Sequence, residues 1–543
     1  MTPEALTAWL VEKTASLLQL PVHYVDPAQP FASQGLDSMG MLELTGDLAA
    51  HLGRELPPSL IWEHPTIVAL ASHLTQTSSE MDELPIVPVS RDIPIPQTFA
   101  QERMWREYQV NGHDRRQIVW RLLRLTGDEL DLPVLKESVT RLMLRHEALR
   151  TTFTEAGGMP VQQIHPSPLG ELEIIDLTGQ EGAEQSARVH IEEAVKQPID
   201  LSVGPLARFH LFVLGKGNYL FCLLIHHIIC DGESNRILIE DLGQIYQAAL
   251  AGAIAGISEP APLTVQTADF ATWQRQWLKE DGSAYTRHVT WWNELLGSTP
   301  PSYACAGLRW EQAPTTLDPE QCRVGRLISL KTLQKLEALS VQEGSTVANV
   351  VYTAMVLALS RHGTDARALL GSYVTDRRRP ALRRLPGLYV NLIVMPMPQV
   401  PAGDFLEALH TVTEALHQIA LHQDLPFEEL AKARAKASLY APHPLMIFNY
   451  RRQAELPEFL VPGVTISGWK TATKRKRTAI PWGMNIAGVE NDAGIDLHAI
   501  YDVGLYDPAK VDAMLEDLAS ILFTVAASFT GARTDPASFA VAP

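Results

Sequence analysis

Ile225-His226-His227-Ile228-Ile229-Cys230-Asp231-Gly232 is the stretch on which the reading of this chain turns. The apolar run Tyr219 to Leu224 ahead of it reads as a buried strand, and Ile237, Leu238 and Leu242 after it share one helical face. Adjacent histidines at a strand end point to opposite sides of a sheet, because side chains alternate along it. One ring can then face a cavity while the other is held in the structure. Asp231 and Gly232 form the turn out of the strand, where glycine tolerates backbone angles or a close approach that a larger residue does not. Three readings compete at this point. The stretch is an ordinary polar turn, or a metal site, or a general base with Asp231 ordering the loop or pairing with an arginine. The metal reading lacks a third histidine or a nearby cysteine at zinc spacing, since Cys230 stands alone.

A chain of 543 residues implies about two to four folding units. Its 62 acidic against 45 basic residues give a net charge of -17, which disfavours bulk attraction to nucleic acid or to an anionic membrane. Cys222, Cys230, Cys305 and Cys322 are too few and unpatterned for a disulfide framework or zinc cluster, so a reducing, cytoplasmic location and no metal are expected. No secretion signal is read at the start, and no apolar run spans a bilayer.

Residues 1–76 carry short blocks of helical periodicity separated by Pro21, Pro57 and Pro58, which predicts a small all-α bundle of three main helices and a short one. Within it stands Gly35-Leu36-Asp37-Ser38-Met39. Ser38 is either a helix N-cap, accepting from orphan backbone amides, or a hydroxyl that is modified. Residues 77–92, polar and punctuated by Pro85 and Pro88, read as a flexible tether.

With these residues in view, the chain resembles two families. Gly35-Leu36-Asp37-Ser38-Met39, with Phe31 before it and Trp62-Glu63-His64-Pro65-Thr66-Ile67 after it, is similar to the phosphopantetheine attachment sequence of acyl and peptidyl carrier proteins. The histidine stretch resembles the His-His-x-x-x-Asp-Gly signature of nonribosomal peptide synthetase condensation domains, members of the chloramphenicol acetyltransferase-like superfamily. Further matches follow in order: Phe99 to Trp105, Arg145-His146-Glu147-Ala148-Leu149-Arg150-Thr151-Thr152-Phe153, Asp269 to Gln274, Gly387-Leu388-Tyr389-Val390-Asn391 and His422-Gln423-Asp424-Leu425-Pro426-Phe427. The resemblance implies a carrier bundle followed by an α/β condensation domain over 93–527, built as two lobes (93–270 and 271–527) in a V, with a loose tail at 528–543.

It also implies roles. Ser38 would carry 4'-phosphopantetheine, installed by a phosphopantetheinyl transferase and loaded by an upstream synthase or loading enzyme. His227 would be the general base that accepts a proton from an amine or hydroxyl, carrier-bound or free, as it attacks the thioester. His226 would be structural, Asp231 would hold the loop through Arg150, with Arg145 the other choice, and Gly232 would admit the carrier arm. Asn391 would organise the region between lobes, and His422 would pack at a helix end. The basic runs Arg377 to Arg384 and Lys474 to Arg477 would meet acidic carrier helices or phosphate. A polyketide-like carrier beside a peptide-type domain suggests a hybrid antibiotic-type pathway. A silent carrier-docking scaffold and an epimerising domain are the competing functions, with neither a nucleic-acid nor a membrane partner.

Overall fold

A computed structural model of the chain describes residues 2–529 apart from 19, 32–33, 35, 37–43, 46, 49–50, 53–59, 81–84, 113–116, 252–259, 301–306, 311–320, 365–367, 401–403, 445, 454–460, 462 and 470–482. In the first segment the described helices are Pro3–Leu18, Leu60–Glu63 and Ile67–Glu80, closing on a small core that includes Leu6, Leu10, Leu44, Leu48 and Leu70. The last of them runs past Leu74, where apolar periodicity stops, to Glu80. The expected helix after Ser38 lies largely outside the described residues, as do Ser38 itself, Lys474 to Arg477 and the tail from 530.

The strands, in chain order, are β1 (Ile95–Pro96), β2 (Ile118–Gly127), β3 (Thr151–Ala156), β4 (Met159–Ile164), β5 (Leu172–Asp176), β6 (Ala207–Gly215) and β7 (Asn218–His226). They continue with β8 (Gln321–Ser329), β9 (Leu369–Thr375), β10 (Val390–Pro396), β11 (Met446–Arg452), β12 (Val464–Gly468), β13 (Met484–Asn491) and β14 (Gly494–Asp502). The first lobe holds a five-stranded sheet in the order β12-β2-β7-β6-β5, beside a small β1-β4-β3 sheet. The second holds six strands in the order β10-β9-β11-β13-β14-β8.

β7 is the central strand of its sheet and is buried from Tyr219 to His226, which is why it reads as a continuous apolar run rather than an alternating one. On one face Phe221, level with Leu211 of β6, meets Leu135, Ile239 and Leu242 from helices Leu132–Arg145 and Ser234–Ala251. On the other, Arg208, His210 and Phe212 of β6 face helix Ala183–Lys196: Arg208 donates to the Ala194 carbonyl at 3.3 Å, and His190 stands edge-on to Phe212 at 5.4 Å. Helices Val347–Arg361 and Pro508–Ser528 supply much of the second lobe's core.

The division of the lobes at a single point in the sequence needs correction. Chain from the second half returns to the first lobe, where β12 pairs antiparallel with β2, Ile466 opposite Leu125. No helix among the described residues is long and apolar enough to cross a membrane.

Candidate active site

The strand ends at His226, and His227–Ile229 turns as a short 3-10 helix before helix Ser234–Ala251 begins. The two histidines do separate into a buried and a half-buried ring, but a change of backbone does this, not continued strand alternation. His226 is 3 % exposed, and its Nδ1 accepts from the Ile228 amide at 3.2 Å. His227 is half-buried, with Nδ1 2.7 Å from the Cys230 carbonyl oxygen. A carbonyl oxygen only accepts, so this contact assigns the proton to Nδ1 and leaves the lone pair on Nε2. The turn is braced from behind by Gln101, whose side chain reaches the Ile228 carbonyl at 3.5 Å from a helix capped by Thr98 and Gln101 reciprocally.

Asp231 is 2 % exposed and saturated with donors. The Ser234 amide and hydroxyl reach Oδ1 at 3.0 and 2.8 Å. Arg377 completes the set as a fork, Nη2 to Oδ1 and Nε to Oδ2, both at 2.8 Å. This corrects the expected pairing with Arg150. The Arg150 guanidinium donates to the His165 carbonyl and lies 3.8 Å from Glu147, so it ties the small sheet instead. Arg145, the other choice, pairs with Asp241 at 2.9 Å. Arg150→Ala should therefore cost about 1 kcal/mol of stability, the worth of a typical hydrogen bond, and leave turnover at the wild-type level. A loss of turnover as deep as that of an Asp231 variant would contradict this placement.

Arg377 belongs to the loop between β9 and β10, in the second lobe, and that loop reaches the first lobe at several points. Arg384 pairs with Glu240 at 2.7 Å and with Asp241. The Gly387 amide donates to Ser234 Oγ at 3.1 Å, and Tyr389 Oη lies 2.7 Å from Thr267 Oγ1. Arg379 bonds Asp424 at 3.2 Å and lies over the stacked rings of Trp273 and Trp277, which are packing elements. The expectation that this basic run meets carrier helices is thus corrected for Arg377, Arg379 and Arg384, which are engaged within the domain. The signal available in the sequence was an arginine-rich loop directly after a strand. It did not say which carboxylate each arginine meets.

Asn391 binds the turn that follows His422: Nδ2 donates to the Gln423 and Leu425 carbonyls at 2.8 and 3.0 Å, and Oδ1 accepts from the Phe427 amide at 3.2 Å. The next helix then places Glu428 2.9 Å from Arg103 of the first lobe. His422 stacks flat on Trp291 at 4.2 Å, and burial, followed by nearby Arg287, lowers its pKa to about 4. It is a packed neutral ring. Gly232 has no left-handed backbone angle, and a Cβ there would meet nothing within 4 Å, so its backbone does not require glycine. Ser38 falls outside the described residues, in the stretch between Leu36, 3 % exposed, and fully buried Leu44 of the first segment's core.

Comparison with known proteins agrees with both parts. The family model described as "Condensation domain" matches residues 93–534, and that described as "Phosphopantetheine attachment site" matches 8–74. A linear gramicidin synthase protein of Brevibacillus parabrevis is 30% identical over 513 residues, covering 93% of this chain but only 6% of that protein. Among solved structures, the X-domain from teicoplanin biosynthesis superposes with a TM-score of 0.67 at 23% identity, covering 83% of this chain and 99% of that one. VibH, a nonribosomal peptide synthetase condensation enzyme, gives 0.65 at 19% identity, covering 82% and 100%. These two likenesses establish the fold, and the matched models establish the family. The chain belongs to the condensation-domain family of nonribosomal peptide synthetases, with a phosphopantetheine-bearing carrier domain ahead of it.

Proposed function

We propose that this protein joins an acyl group held as a thioester on its own carrier, at Ser38, to an amine or hydroxyl acceptor, with His227 as the general base. The observation that carries this reading is the 2.7 Å contact from His227 Nδ1 to the Cys230 carbonyl, which places the proton on Nδ1 and leaves the Nε2 lone pair of this half-buried ring as the acceptor. Attached at Ser38, 4'-phosphopantetheine supplies the thiol that bears the acyl group. His227 Nε2 takes the proton as the acceptor nitrogen or oxygen bonds to the acyl carbon. The carbon–sulfur bond then breaks, and the imidazolium returns that proton to the departing sulfur. Asp231 is a positioning residue: it ties the residues after the turn to the second lobe and does not touch the reacting atoms. An acceptor delivered on a second, downstream carrier fits the order of the two domains.

The test is intact-protein mass spectrometry after a phosphopantetheinyl transferase has loaded Ser38 with an acyl group, followed by addition of amine and hydroxyl acceptors, free and carrier-bound. Loss of the acyl mass from the chain with formation of an amide or ester is expected. An acyl group that stays on Ser38 with every acceptor, including one that chiral analysis after release shows to be only epimerised, overturns the proposal.

A further inference from the structure

A second cluster of histidines lies in the first lobe, away from His227. β5 and β6 run parallel with Glu173 directly beside His210, so both side chains leave the same face of the sheet. Helix Ala183–Lys196 covers that face and brings His190 over the pair. His210 Nδ1 is 2.9 Å from Glu173 Oε2, and His190 Nε2 is 3.8 Å from Glu173 Oε1. One ligand-type atom from each of the three residues falls within 4.8 Å of the others. His210 is 5 % exposed, and while its Nδ1 faces Glu173, its Nε2 has no hydrogen-bond partner among the described residues. A buried polar group left so is uncommon and asks for a partner. Arg208, on the same face, directs its guanidinium to the Ala194 and Pro198 carbonyls.

We infer that Glu173, His190 and His210 form a binding site for a borderline divalent transition metal, Zn2+ in its simplest form, which ties helix Ala183–Lys196 to the edge of the sheet. Two imidazoles and one carboxylate suit zinc and not the oxygen-seeking Mg2+ or Ca2+. Ligands about 2.0–2.1 Å from a tetrahedral ion stand roughly 3.3 Å from one another, a spacing between the 2.9 and 3.8 Å separations seen here. The side chains of His190 and Glu173 are 39% and 53% exposed, so they can close the remaining gap by rotation and leave the fourth position to water. β5 ends its sheet, and such an edge gains from being covered and fixed. In the β6–β7 register His210 lies opposite Cys222, four residues before His226, so the site is about 13 Å along the strand from the catalytic turn.

The experiment uses the full chain, stripped with a chelator and titrated with Zn2+ against a chromophoric competitor while the thermal midpoint is followed. Uptake of one equivalent with a rise in midpoint is expected, with no response to Mg2+. His190→Ala and Glu173→Gln, both at partly exposed positions, should each weaken uptake by about tenfold or more and remove the rise. His64→Ala, in the stacked His64–His73 pair of the carrier, should change neither. Absence of stoichiometric uptake, or uptake equal in wild type and in both site variants, overturns the inference.

Discussion

Replacing His227 by alanine is expected to lower product formation by about 10²- to 10⁴-fold, the usual contribution of a positioned general base, while Ser38 is still loaded and the chain still folds. The fold should survive because the His227 ring is half-buried and its hydrogen bond to the Cys230 carbonyl closes a local turn. The comparison that separates chemistry from architecture is with His226→Ala. His226 is buried and caps the same turn, so its loss should lower the unfolding midpoint as well as turnover. Single-turnover transfer from the loaded carrier, measured beside thermal unfolding of the same samples, distinguishes the two. Wild-type transfer by His227→Ala would remove the residue from the mechanism.

Arg377→Ala should be the most destabilising of the charge deletions around the site. It leaves Asp231, 2 % exposed, without the cation that forks onto both of its oxygens, and breaking one side of a buried ion pair costs about 3–5 kcal/mol. Arg377→Lys should recover little. A lysine ammonium cannot reproduce two parallel bonds from a planar fork, nor the Nη1 bond to the Leu382 carbonyl at 2.9 Å and the stacking over Tyr389 at 4.8 Å. The penalties of Arg377→Ala and Asp231→Ala should be strongly non-additive in the double variant, because either deletion already breaks the pair. Denaturant unfolding of the four chains tests this. Additive losses, or a loss below about 1 kcal/mol for Arg377→Ala, would mean that the fork is not what fastens the two lobes at this point.

That fork also explains a limit of sequence reading. Arg150 closes a conspicuous Arg-His-Glu motif and is the natural partner for Asp231 on that ground, whereas Arg377 is 146 residues away in the other lobe. A pattern of residue types reports how each segment meets its immediate surroundings. It carries no distance between segments. The same reason hid β12: a five-residue strand of half-buried and exposed positions has weak alternation of its own, and only its pairing with β2 gives it a place.

By itself the sequence determined the helical blocks of the first segment and the central buried strand that presents the histidines. Each depends on local periodicity or on a run of adjacent residues, which burial imprints directly on residue type. The tertiary structure alone decided which arginine holds Asp231, that the loop from Asp376 to Tyr389 reaches from the second lobe to the first, that Asn391 binds the turn after His422, and that Glu173, His190 and His210 converge. Those are contacts between segments far apart in the chain, and they exist only once sheet order and helix packing have brought the side chains together.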